Sequence, residues 1–165
     1  MFDSIMADKL FVFISPLISK LQHGFMPARS TESNLLLSFT DYVAKAFIEH
    51  EQVDAFFSDF SKAFNSVNHE LLVRKLYNNG IKGNVLNWIR SFLTGRTAQV
   101  KIKNFKSQPF NIQSGVSQGS HLGPLIFILF INDLTDVIKY SKILLFADDA
   151  KIFKRVRSSE DSLEL

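Results

Sequence analysis

Ile143-Leu144-Leu145-Phe146-Ala147-Asp148-Asp149-Ala150-Lys151-Ile152-Phe153 is the stretch that decides the fold. An apolar run ends in two adjacent carboxylates, and β-compatible residues resume at Ala150. That pattern predicts a β-hairpin with an acidic tip. Negative charge beside apolar strands is unfavourable unless a cation pairs with it, and oxygen ligands favour a hard divalent ion. The tip is therefore expected to hold Mg2+. Successive strand residues face opposite ways, so without a sharp turn Asp148 and Asp149 are inequivalent ligands; Asp148 ranks first.

Upstream, Val53 to Phe60 is dense in apolar residues and reads as a strand buried on both faces, with Asp59 at its end. If the two strands are neighbours in one sheet, Asp59 and Asp148 meet, which is the minimum for a shared metal site. Before that strand, Leu35, Leu36, Phe39, Tyr42, Val43, Ala46 and Phe47 recur at helical spacing, with Ser30 or Thr31 as N-cap, and predict a helix to about His50. After it, helices are expected over His69–Asn79 and Asn84–Thr94, stopped by Gly80 and Gly95. Thr97–Lys103 and Phe110–Ser114 read as strands joined by a turn at Asn104–Ser107. A Ser/Gly-rich loop, Ser114–Gly123, then leads to a helix expected over Pro124–Lys139, and Arg155–Leu165 reads as a frayed tail.

Composition narrows the chemistry. At 165 residues and 46% hydrophobic, the chain is long enough for one domain or a large piece of a bigger one. Its 17 Phe are expected mostly in the core. A net charge of +3 accommodates a nucleic-acid partner without requiring one. No cysteine is present and the four His have no zinc spacing, so any metal must be oxygen-bound. The apolar run in Pro124–Ile131 is far below the roughly 20 residues of a membrane-spanning helix, and Asp3 and Asp8 stand where a signal peptide would be basic. An intracellular protein with no membrane partner is expected.

Singly, these motifs are weak, and an isolated Asp-Asp is usually a solvated turn. Their order is far more specific. Asp59-Phe60-Ser61-Lys62-Ala63-Phe64, then Gly115-Val116-Ser117-Gln118-Gly119-Ser120-His121-Leu122-Gly123-Pro124-Leu125, then Phe146-Ala147-Asp148-Asp149 occur in sequence. With Gln22-His23-Gly24-Phe25-Met26-Pro27-Ala28-Arg29-Ser30-Thr31, Trp88, Ser91-Phe92-Leu93 and Leu129 to Leu134, they closely resemble the reverse transcriptases of non-LTR (LINE-type, jockey-like) retrotransposons.

The resemblance implies an α+β fold: a right-hand polymerase palm with partial fingers and the thumb absent. It implies a fingers-side segment over 1–52, a palm over 53–157 and a tail over 158–165. The implied activity is RNA-directed DNA polymerisation, a nucleotidyl transfer to a primer 3′-hydroxyl. The metal carboxylates fall on Asp59, Asp148 and Asp149, with Mg2+ as cofactor and Mn2+ able to substitute. Phe60, Ser61, Lys62 and Ala63 would hold the deoxynucleoside triphosphate through backbone amides, and Phe64 would be the ring that excludes a ribose 2′-hydroxyl. Gln118 and Gly119 would pack against the nascent base pair and template, where a Cβ on Gly119 would obstruct approach. Arg29 would contact template or triphosphate. The partners implied are an RNA template and a DNA primer.

The chain departs from the common pattern at Met26, Ala28, Asn65 and Ser117, where many relatives carry Arg, Gly, Asp and Pro. Asn65 removes a charge near the ligand Asp59. The thumb and any endonuclease domain lie outside this sequence, so a fragment of a longer reading frame, inactive by itself, is expected. The alternative is a catalytically inactive retrotransposon relic that retains the palm and at most binds nucleic acid. A location in cytoplasm and nucleus follows from the family alone.

Overall fold

The computed structural model describes residues 2–158 and residue 161. In chain order the elements begin with α1 (Phe2–Ile14), a 3-10 turn (Ser15–Leu17), a π-helical segment (Ser33–Thr40), α2 (Asp41–Ile48) and β1 (Gln52–Asp59). Next come α3 (Ala63–Ser66), α4 (His69–Asn78), α5 (Gly83–Leu93), β2 (Thr97–Ala98), β3 (Lys101–Ile102), β4 (Phe105–Lys106) and β5 (Phe110–Asn111). The last are α6 (Leu122–Ile131), α7 (Leu134–Val137), β6 (Lys142–Phe146) and β7 (Asp149–Val156). This is a mixed helix and strand chain, as the motifs predict. It forms two compact units interleaved in sequence, Met1–Phe13 with Lys62–Phe130 and Ile14–Ser61 with Ile131–Leu165.

The first unit is mainly helical. Asn68 caps α4, its side-chain oxygen accepting the Leu71 N–H at 2.9 Å. Leu72, Val73 and Leu76 of α4 and Leu86, Ile89 and Leu93 of α5 are buried at the three- and four-residue spacings of one helical face. Gly80 and Gly95 follow the two helices at positive φ, as expected. Helix α1 had no counterpart in the sequence reading, although Ala7 and Leu10 bury one side of it.

Helix α6 is apolar on every side and buried from Leu122 to Leu129 except at Pro124. It does not run on to Lys139 as expected; it ends at Ile131, and the short α7 restarts at Leu134. Asn132 explains the break. Its carboxamide donates to Leu17 O at 2.9 Å and accepts from Ser19 N at 2.8 Å, anchoring the chain where the helix would continue.

The ribbon before α6 also differs from expectation. Ile102 pairs with Phe105 and Lys101 with Lys106, so the turn is Lys103–Asn104 rather than Asn104–Ser107. The ladder is interrupted at Val100, whose N–H goes to the Ser107 hydroxyl. Phe105 and Phe110 of these short ribbons are exposed, and the expectation that most Phe rings lie in the core fails. Among the described residues Phe127 and Phe153 are buried, while Phe47, Phe56, Phe57 and Phe105 are more than half exposed.

The second unit is built on one antiparallel sheet, ordered β1-β7-β6. Eight residue pairs join β1 to β7, from Gln52 opposite Val156 to Asp59 opposite Asp149. β1 lies at the sheet edge, which is why Phe56 and Phe57 are exposed and the expected double-sided burial is absent. One sheet face carries Ile143, Leu145, Ala150 and Ile152, packed against Leu134 and Ile138. On the other, Phe39 and Tyr42 meet Phe153 edge-on, each at 5.0 Å between centroids. The predicted helix after Ser30 exists, but its first part is π-helical; Ser30 Oγ accepts the Ser33 N–H and Ser33 Oγ the Ser30 N–H.

The frayed tail does not begin at Arg155. β7 continues through Val156, Arg155 pairs with Glu49 and Glu51, and Arg157 with Glu51. The rest of the expected tail lies largely outside the described residues. The hydrogen bond from Arg157, with Arg155 adding, holds the Glu51 carboxyl below its ordinary 4.5 against the opposing effect of partial burial. A depressed folded-state pKa stabilises above the unfolded carboxylate value and is lost as pH falls through the folded one. Glu51→Gln should therefore lower the melting temperature at neutral pH. The gap from the parent should close below about pH 4, as read by thermal denaturation across pH.

Candidate active site

The antiparallel register places Asp59 and Asp149 directly opposite at the end of the β1–β7 ladder. Directly opposed residues share a sheet face with their Cα atoms roughly 4.5 to 5.5 Å apart, and like charges there repel. Asp148 is the second of the two residues, Ala147 and Asp148, that link the Phe146–Asp149 pair. Asp149 is thus the strand partner of Asp59, and Asp148 approaches from the turn. The expected acidic hairpin tip is present, with the sharp turn that two adjacent ligands would need.

Electrostatics register the convergence. The Asp149 carboxyl is pushed above its ordinary value, first by partial desolvation and then by the charges of Asp148 and Asp59. Asp149 thus lies in the field of the other two carboxylates, although among the described residues no three acidic or His side chains are gathered into a ready-made metal cage. All-oxygen donors in mutual repulsion fit a hard divalent cation, and nothing in the set would hold a soft one.

Two residues further along the same face stands Lys151, opposite Phe57. Its ammonium lies 4.8 Å from the Phe39 ring centroid and 5.4 Å from that of Phe57, and burial lowers its pKa. Asp59, Asp149, Phe57, Lys151, Leu144 and Thr31 line an open depression of about 380 Å³. The sequence reading singled out neither Lys151 nor Thr31 for a site. The alternation of β7 after Asp149 was the signal that places Lys151 on the acidic face.

The other candidates fall into two groups. In the sheet unit, Phe60 and Ser61 follow Asp59 and are exposed. Arg29 directs Nη1 to the carbonyls of Ser19 and Gln22, so that nitrogen ties down its own loop. In the helical unit, Lys62 has left-handed backbone at φ 54, and its carbonyl accepts from Asn65 N and Ser66 N at the start of α3. Ala63 and Phe64 open that helix. The Phe64 ring is half-buried and stacks on Phe127 with centroids 4.1 Å apart. Gln118 and Gly119 form an exposed turn. Gly119 has φ +88, while a Cβ there would meet nothing within 4 Å in the chain, so its backbone conformation is what calls for glycine.

Comparison with known proteins places the chain in a family. The family described as "Reverse transcriptase (RNA-dependent DNA polymerase)" matches residues 1–163, and the chain belongs to it. It is 31% identical over 87% of its length to a probable RNA-directed DNA polymerase from transposon X-element of Drosophila melanogaster, covering 16% of that protein. It is 34% identical over 68% of its length to the probable RNA-directed DNA polymerase from transposon BS of the same organism, covering 12% of it. To the RNA-directed DNA polymerase from mobile element jockey it is 28% identical over 88% of its length, again covering 16%. The chain thus spans about a sixth or less of the length of these curated relatives.

Two stability measurements test this description. Replacing Asp149 by Asn removes a cross-strand repulsion, so in a chelator the variant should be more stable than the parent by up to about 1 kcal/mol. A less stable variant would show that the carboxylate is held by favourable contacts instead. The Asn65 side chain is exposed, and its backbone carbonyl accepts the Ser114 hydroxyl. Asn65→Asp should change stability by less than about 0.5 kcal/mol in denaturant titration.

Proposed function

We propose that this chain is the palm-containing segment of an RNA-directed DNA polymerase of a non-LTR retrotransposon, with residues 1–52 on the fingers side and 53–157 in a right-hand palm. The observation that carries the reading is the register that sets Asp59 opposite Asp149 with Asp148 in the adjoining turn. Family membership supplies the reaction class.

Asp59, Asp148 and Asp149 would hold Mg2+, or Mn2+ in its place, through hard oxygen donors. The bound cations would supply charge neutralisation and activation of an attacking hydroxyl for nucleotidyl transfer. The rest of the work falls to the chain. Backbone amides of Phe60, Ser61, Lys62 and Ala63 would bind the deoxynucleoside triphosphate, and Phe64 would discriminate against a ribose. Gln118 and Gly119 would support the template base pair, and Arg29 would brace the loop beside the acidic turn and contact template or triphosphate. Catalysis of this kind is mainly positioning and charge stabilisation, so loss of a single ligand is severe.

A second reading is a relic that keeps the fold without the activity, for which the neutral Asn65 shortly after Asp59 speaks. Primer extension separates the two. In a longer polymerase carrying this segment with a thumb domain, the parent should extend a DNA primer on an RNA template with Mg2+, and Asp59→Ala or Asp148→Ala should abolish extension. Activity within threefold of the parent in either variant would remove that residue from the site. A folded, metal-insensitive parent that extends nothing would favour the relic.

A further inference from the structure

The acidic turn contains an uncommon backbone conformation. Ala147, the residue before Asp148, has φ 54, in the left-handed region that a side chain disfavours by roughly 1 to 2 kcal/mol. It is also 7% exposed, so its N–H and C=O are withdrawn from water and need partners. As a link residue of a two-residue hairpin turn, it lies outside the β6–β7 ladder.

One side chain supplies both partners. Gln22 is 1% exposed, and its Oε1 accepts the Ala147 N–H at 2.9 Å while its Nε2 donates to Ala147 O at 3.2 Å. Oε1 also accepts the Gly24 N–H at 2.8 Å, which fixes the carboxamide in one orientation. A primary amide offers a donor and an acceptor side by side, which a carboxylate or a hydrocarbon of the same size does not.

The backbone brings Gln22 there. His23 N donates to Leu145 O at 2.8 Å and Leu145 N to Leu21 O at 2.9 Å, so residues 21–23 run along β6 as a short parallel bridge. Gly24 then passes so close to the turn that a Cβ would sit 2.2 Å from Ala147 N.

We propose that Gln22 is a positioning residue for the catalytic turn: its buried carboxamide locks Ala147 in the left-handed conformation and thereby sets where Asp148 and Asp149 present their carboxylates beside Asp59. The proposal rests on the reading of these carboxylates as metal ligands, and Gln22 itself touches neither metal nor substrate. It acts as a residue behind the ligands, a class whose removal weakens metal affinity by roughly 10- to 100-fold.

The test uses the full chain and nuclear magnetic resonance. In the parent, the Ala147 amide should exchange slowly with solvent; fast exchange there overturns the clamp without any variant. In Gln22→Leu and Gln22→Met, Ala147 exchange should rise at least about tenfold while Phe153, in the ladder, keeps its protection. Titrated Mn2+, read by broadening of the Asp148 and Asp149 amides, should bind at least about tenfold more weakly. Unchanged Ala147 exchange or unchanged Mn2+ affinity in either folded variant overturns the proposal. Asp149→Asn is the control for the underlying reading. If it leaves the Mn2+ response intact, the ligand assignment fails, whereas Ala147 exchange continues to decide the clamp.

Discussion

Everything proposed for the site depends on one interaction, the antiparallel pairing of β1 with β7 in a register that ends on two carboxylates facing each other. A slip of one residue would turn Asp59 to the opposite sheet face and bury it against the Leu145 side. The hydrophobic pattern prevents the slip. Ala150 and Ile152 must face Leu134 and Ile138, while Phe153 must face Phe39 and Tyr42 and Phe57 of β1 must meet Phe39, edge-on at 6.1 Å. The apolar residues on the two faces therefore hold two like charges together. Repulsion at the sheet end is offset by packing further along, an arrangement expected where function and stability conflict.

The same logic explains the loop over residues 19–33. Arg29 ties to Ser19 and Gln22, Ser30 and Ser33 cap each other, and Gln22 reaches the acidic turn. Each bond fixes the next, so the turn is supported from outside its own hairpin. Such support from neighbours is how a strained residue persists in a fold.

Much of this was legible in the sequence because it is local. The hairpin, the strand ending at Asp59 and the helices α4 and α5 with their glycine stops follow from periodicity and punctuation. What was not legible depends on distant partners. Asn132 interrupts the last long helix by bonding to Leu17 and Ser19, 115 and 113 residues away. Gln22 and Ala147 are 125 residues apart, and no spacing rule marks such a pair. The aromatic residues misled because composition sets how many rings exist, not whether a second layer covers them. Edge strand β1 leaves Phe56 and Phe57 open to solvent. Of the candidate residues, Asp59 and Asp149 are paired and Asp148 stands in the adjoining turn of the same unit, whereas Phe64, Gln118 and Gly119 belong to the other.

The central claim is that the paired end of β1 and β7 is a divalent-cation site. Anomalous X-ray scattering from crystals of this chain grown with Mn2+ tests it most directly. A manganese peak within bonding distance of Asp59 and of Asp148 or Asp149 is the result the account predicts. A fully ordered acidic turn with no manganese beside it, or manganese bound only elsewhere, would contradict it.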